Sequence, residues 1–141
     1  MTAELQMTGL PDLDVDTMIG PLAEFGRLLA AADLDRSAAR GALLGTVLQA
    51  LPVMSWASFT SMASSHHTPV TLAASAEPAA AADALQYRAG AGPCLQALAD
   101  TDMVRVVSLA AEQRWAPFVT TALVDTPVRA VVSCSLAAGG H

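Results

Sequence analysis

The chain contains no lysine, and its seven arginines face thirteen acidic residues, for a net charge of −6. Nucleic-acid affinity rests on clustered Lys and Arg that neutralise phosphates. Here Arg27, Arg36, Arg40, Arg88, Arg105, Arg114 and Arg129 are scattered, so the sequence predicts no direct nucleic-acid binding. Cysteine is equally scarce. Cys94 and Cys134 are too few and too far apart for the disulfide framework of a secreted domain. No apolar run approaches the roughly 18 residues that a membrane span requires. The start, Met1 to Asp16, carries Glu4, Asp12, Asp14 and Asp16 and no basic residue, the reverse of a secretory signal. These absences predict a cytoplasmic chain with no membrane partner. His66, His67 and His141 stand at no metal-ligand spacing, and neither a Gly-x-Ser-x-Gly elbow, a Gly-x-x-x-x-Gly-Lys loop nor a His-Glu-x-x-His pair occurs. No metal and no cofactor are expected.

What the chain does have is apolar residues, 53% of the total against 14% charged, in a length suited to one domain. Residues 1–15 read as a flexible acidic arm, and residues 16–141 as the domain. Met18, Leu22, Phe25, Leu29 and Ala32 recur at helical spacing. A second helix is predicted from Ser37 to Leu51, with Leu43, Leu44, Val47, Leu48 and Leu51 inward and Pro52 as its stop. Residues 54–63 alternate as a strand, Ser64 to Thr68 form a polar connection containing His66 and His67, and a second strand follows Pro69 through Ala76. An alanine-rich helix from Pro78 to Gln86 comes next. Val104, Val106 and Val107 mark a third strand, and a short helix distorted by Pro117 holds Trp115, Phe118 and Val119. The last strand, 128–138, places Val128, Ala130, Val132, Cys134 and Leu136 on one face, which makes Cys134 a core thiol.

The stretch that breaks this regular pattern is Tyr87-Arg88-Ala89-Gly90-Ala91-Gly92-Pro93-Cys94-Leu95-Gln96-Ala97-Leu98. Gly90 and Gly92 permit a tight reversal, and Pro93 suits the first residue of a helix, since its missing N–H has no partner there anyway. Cys94 then falls in the first turn, where a helix end can lower a thiol pKa. It is either a reactive group or a small packing residue.

The order helix, helix, strand, strand, helix, followed by this Tyr-x-x-Gly-x-Gly-Pro-Cys run, resembles the GAF domains of actinobacterial regulators, as found in proteins that combine GAF and ANTAR domains. Val104 to Leu109, Arg114-Trp115-Ala116-Pro117-Phe118 and Val128 to Leu136 extend the resemblance, which covers roughly residues 17–138. It implies an α+β fold, a GAF-like antiparallel sheet flanked by helices. It implies a non-catalytic sensory domain in signal transduction or transcription regulation, binding a small molecule or partner and forming a homodimer through its first two helices. A pocket would lie between the sheet and the connection from Ala79 to Leu98, with Tyr87, Gly90, Gly92, Cys94, Trp56 and Phe118 as candidate ligand-binding residues and no catalytic ones.

Because the family's sheet continues after Gly139-Gly140, the resemblance implies four strands of an incomplete sheet. The chain then reads as a fragment of a longer regulator, or as a short form that completes its sheet by association. Two alternatives stand beside the sensory reading. One is a free methionine-(R)-sulfoxide reductase-like enzyme, in which a Cys94 thiolate would attack the sulfoxide, although Leu95 to Ser133 contains no resolving cysteine. The other is a structural dimerisation module without a ligand. The Asn-Lys-x-Phe-x-Asp-Glu pattern of cyclic-nucleotide-binding relatives is excluded by the absence of lysine.

Overall fold

A computed structural model describes residues 2–7, 37–51, 54–63, 68–100 and 103–135. Its elements in chain order are β1 (Thr2–Met7), α1 (Ser37–Ala50), β2 (Trp56–Ala63), β3 (Thr68–Ala74), α2 (Glu77–Ala89), α3 (Pro93–Asp100), β4 (Met103–Val106), a 3-10 turn (Leu109–Ala111), α4 (Ala116–Asp125) and β5 (Ala130–Ser135). All strand pairs are antiparallel, and the order across the five-stranded sheet is β3-β2-β1-β5-β4. The fold is therefore α+β.

The largest departure from the sequence reading is β1. Thr2–Met7 is no loose arm but the central strand, hydrogen-bonded to β2 on one side and β5 on the other. Ala3 and Leu5 alternate with Thr2, Glu4 and Gln6, and all five are buried. Among the described residues there are thus five strands where four were expected, the last of them lying beside the first. Residues 8–15, the helix expected from Met18 to Ala32, the His66-His67 connection and the end of the chain from Leu136 lie outside the described residues.

Each sheet face has its own core. On one side, Ala3 and Leu5 of β1, Ala57 and Phe59 of β2, and Ala130 and Val132 of β5 pack against Leu44 and Val47 of α1, with Leu51 and Met54 closing the end. On the other, Val106, Leu109, Val128 and Val131 meet Ala82 and Leu85 of α2 and Phe118, Val119 and Ala122 of α4. The final strand therefore buries both faces: Val131 serves one core and Val132 the other. Cys134 is partly buried and joins Ala130 and Val132 on the α1 side as expected, whereas Val128, expected on the same face, precedes the strand and belongs to the other core.

Pro117 also behaves differently from the expectation. It lies in the first turn of α4, where proline costs no hydrogen bond, so it starts the helix without distorting it. The residue before that helix, Trp115, has a left-handed φ of 55°, unusual for a bulky side chain. It is held there by a core contact and by Arg114, whose guanidinium lies 4.3 Å from the ring centre while its Nε pairs with Glu112 Oε1 at 2.9 Å. At the other end of α4, Arg129 donates to Leu123 O at 3.0 Å and Thr126 O at 2.7 Å, satisfying carbonyls left free by the helix end.

Candidate functional site

Antiparallel register aligns three rows of side chains across β2, β1 and β5. Glu4 stands between Ser58 and Ser133, Thr2 between Thr60 and Ser135, and Gln6 between Trp56 and Val131. Paired residues share a face, so the side of the sheet beneath α2 and α3 carries a polar stripe through its centre. Thr2, Glu4, Gln6, Ser58, Thr60 and Ser133 are all buried there.

The covering helix matches the stripe. Asp83, Gln86 and Tyr87 occupy positions i, i+3 and i+4 of α2 and so share one face. Glu4 Oε1 accepts from Gln6 Nε2 at 2.8 Å, and Gln86 Nε2 donates to Glu4 Oε1 at 3.0 Å and Oε2 at 2.8 Å. Ser133 Oγ donates to Glu4 Oε2 at 3.0 Å. Asp83 accepts from Ser58 Oγ at 3.1 Å and from Thr71 Oγ1 at 2.8 Å. The Tyr87 hydroxyl shares hydrogen bonds with Thr60 Oγ1 at 2.8 Å and Thr71 Oγ1 at 2.7 Å.

The two carboxyl groups are also hydrogen-bonded to each other, and among the described residues their side-chain partners are otherwise amides and hydroxyls. Burial raises Glu4 above the usual carboxylate range, its hydrogen-bond donors pulling the other way. Burial, reinforced by the Glu4 charge, pushes Asp83 up to about 8. Glu4 has more donors aimed at it, so Asp83 is the member of the pair that holds its proton at neutral pH. Among the described residues, Gln6 Oε1, whose amide nitrogen serves Glu4, and Thr2 Oγ1 have no hydrogen-bond partner.

The turn that follows α2 is built around this cluster. Gly90 takes the left-handed conformation, φ 68°, and caps α2 through its N–H to Tyr87 O. Pro93 opens α3 as its first residue. Gly92 has a different reason to be glycine: a Cβ there would stand 2.5 Å from Gln86 Cγ and 2.6 Å from its Cδ. That space lets Gln86 Oε1 accept the Cys94 backbone N–H at 2.8 Å. One glutamine side chain therefore joins β1, α2 and the start of α3.

Of the residues singled out in the sequence, Tyr87, Gly92 and Cys94 meet at this cluster, and Gly90 shapes its turn. Trp56 and Phe118 belong to the apolar core on the same side, Phe118 fully buried. The Cys94 thiol is fully buried, touches the Thr60 hydroxyl, and is pushed up by burial and the Glu4 charge, the reverse of the activation that a helix end can give. Cys134 faces the other side of the sheet. Sequence reasoning missed Glu4, Gln6, Asp83, Gln86, Ser58, Thr71 and Ser133. The signal for the β1 pair was the strict alternation of Thr2 to Met7.

Two surface cavities are described nearby. One of about 230 Å³ is lined by Gly90, Ala91, Gly92, Leu95, Gln96, Ala99 and Trp115. One of about 240 Å³ lies between α2 and α4, lined by Leu85, Arg88, Ala89, Pro117 and Thr121. Among the described residues no cluster of His, Cys, Asp and Glu could hold a metal ion, and no described helix is long and apolar enough to cross a membrane. Comparison with protein families, with curated proteins and with solved structures returns no match.

Proposed function

We propose that this chain is a non-catalytic sensory or regulatory domain of GAF-like type, whose sensing face is the polar side of the sheet beneath Tyr87 to Leu98. The observation that carries this reading is the buried Glu4–Asp83 pair, held among the described residues with no oppositely charged partner in its hydrogen-bond network. A buried carboxyl cluster costs stability compared with an apolar core, and such a cost is commonly borne at functional sites. The pairing of β5 with β1 also suits a GAF-like sheet.

The chemistry of the face favours a ligand rich in hydrogen-bond donors, such as a primary amine or a guanidine. It would neutralise the carboxyl pair and meet the unpartnered Gln6 Oε1 and Thr2 Oγ1. Since these groups are buried, binding requires the α2–α3 turn to lift. The thiol chemistry of a sulfoxide reductase is disfavoured by the buried, upward-shifted Cys94 and by the location of Cys134 across the sheet. Signal output through a homodimer completes the proposal.

The test is a thermal-shift titration of the full chain with guanidinium, methylammonium, arginine and putrescine, alongside its mass in solution. A saturable rise in Tm with one of these probes, lost in Glu4→Gln, supports the sensory reading. Reduction of free methionine sulfoxide that disappears in Cys94→Ser, with no probe raising Tm, would replace it with the enzyme.

A further inference from the structure

α2 is docked on the sheet at its centre by polar contacts. Asp83, Gln86 and Tyr87 each reach across to strand side chains, and Gln86 continues to the Cys94 N–H at the start of α3. Gln86 cannot stay on Glu4 if α2 lifts from β1, and without Gln86 the Cys94 N–H loses its acceptor. The position of the α2–α3 turn therefore depends on how Asp83 sits against Glu4.

We propose that the Glu4–Asp83 pair is a one-proton latch: a single proton held between the two carboxyl groups keeps α2 on the sheet, and its release to solvent parts them, withdraws Gln86 and loosens the α2–α3 turn. With the proton present, the Asp83 O–H donates to the Glu4 carboxylate and the pair carries one negative charge. Without it, the pair carries two, adjacent and fully buried. Two buried carboxyl groups that share a hydrogen bond cannot both ionise without compensation.

The surroundings offer little compensation. The facing groups are Ser58 and Thr60 from β2, Thr71 from β3 and Ser133 from β5, none of them charged. The titratable ones are Tyr87 on α2 and Cys94 on α3, both shifted upward and so still protonated when the pair titrates. Among the described residues, no cationic side chain joins this hydrogen-bond network. The upward shift of Asp83 to about 8 brings the event close to physiological pH. The latch needs no ligand, so it stands or falls separately from the sensory reading.

The test is an NMR titration of the full chain from about pH 5.5 to 9.5, following the Asp83 and Glu4 carboxyl carbons, the Gln86 side-chain amide and the Cys94 backbone amide. The latch predicts one carboxyl titrating above pH 7, with the Gln86 and Cys94 signals moving at the same midpoint. In Asp83→Asn all of these stay flat, because an amide nitrogen donates to Glu4 at every pH, while its single oxygen keeps one of the two acceptor roles that Asp83 fills with separate oxygens toward Ser58 and Thr71. The inference is overturned by a wild-type chain with no carboxyl titrating above pH 7, or by Gln86 and Cys94 signals that ignore that titration. It is equally overturned if those signals titrate unchanged in Asp83→Asn, or if that variant does not fold.

Discussion

The two faces of the sheet are buried to the same degree by different chemistry. Toward α1, Ala3, Leu5, Ala57, Phe59, Ala130 and Val132 make a dry apolar layer. Toward α2 and α3, the neighbouring residues of the same strands, Glu4, Ser58, Thr60 and Ser133, make a hydrogen-bonded one. β1 contributes to both within six residues. The first face gains stability from area removed from water, which is insensitive to pH. The second holds ionisable groups whose charge state the interior must accommodate. Apolar packing on both sides carries the fold, and only the central stripe beneath α2 and α3 trades stability for a chemically responsive centre.

The change expected to cost most strikes the apolar face. Phe59→Ala removes a ring that is 1% exposed. It is expected to lower the urea unfolding free energy by about 4 kcal/mol, while leaving the pH dependence of stability as it was. Glu4→Gln attacks the polar face and is expected to cost roughly 3 kcal/mol, since an amide nitrogen then confronts donors that served a carboxylate. It should also return Asp83 toward its ordinary value by removing the Glu4 charge, a shift that the same NMR titration reads. Loss of pH dependence in Phe59→Ala, or an Asp83 titration in Glu4→Gln that is no lower than in the parent, would break the division between the faces.

A smaller effect is expected at the turn. Gly92→Ala drives a methyl group into Gln86 and is expected to cost about 1–3 kcal/mol. Its sharper signature is local: Cys94, 0% exposed in the parent, should become reactive toward a neutral thiol reagent under native conditions. Protection of Cys94 equal to the parent would mean that Gln86 does not hold the turn.

Much of the α1 side was legible in the sequence, because leucine spacing in Ser37 to Leu51 and alternation in β2 and β5 follow directly from helix and strand periodicity. The Gly90 turn and the Pro93 helix start were legible for the same reason: their residue types have few other uses. The polar cluster was not. Thr2 to Met7 alternates perfectly, but its Glu, Gln and Ala have low strand propensity, and it stands at the chain start where loose segments are common. Asp83, Gln86 and Tyr87 form a polar stripe that reads as the solvent face of a helix. Only the register of Glu4 against Ser58 and Ser133 shows that the stripe faces inward. A buried polar pair whose members lie far apart in the sequence leaves no local trace.

In the folded chain Asp83 holds a proton that the unfolded chain has already released. Its pKa rises from 3.8 to about 8 on folding, so its stabilising contribution is complete below pH 4 and is lost progressively as pH rises to 8. The direct measurement is urea unfolding of the parent and of Asp83→Asn across pH 4 to 9. The stability of Asp83→Asn relative to the parent should grow by up to about 1.4 kcal/mol per pH unit through that window and level off above about pH 8. A difference that does not change with pH, with Asp83→Asn less stable than the parent at pH 8, would contradict it.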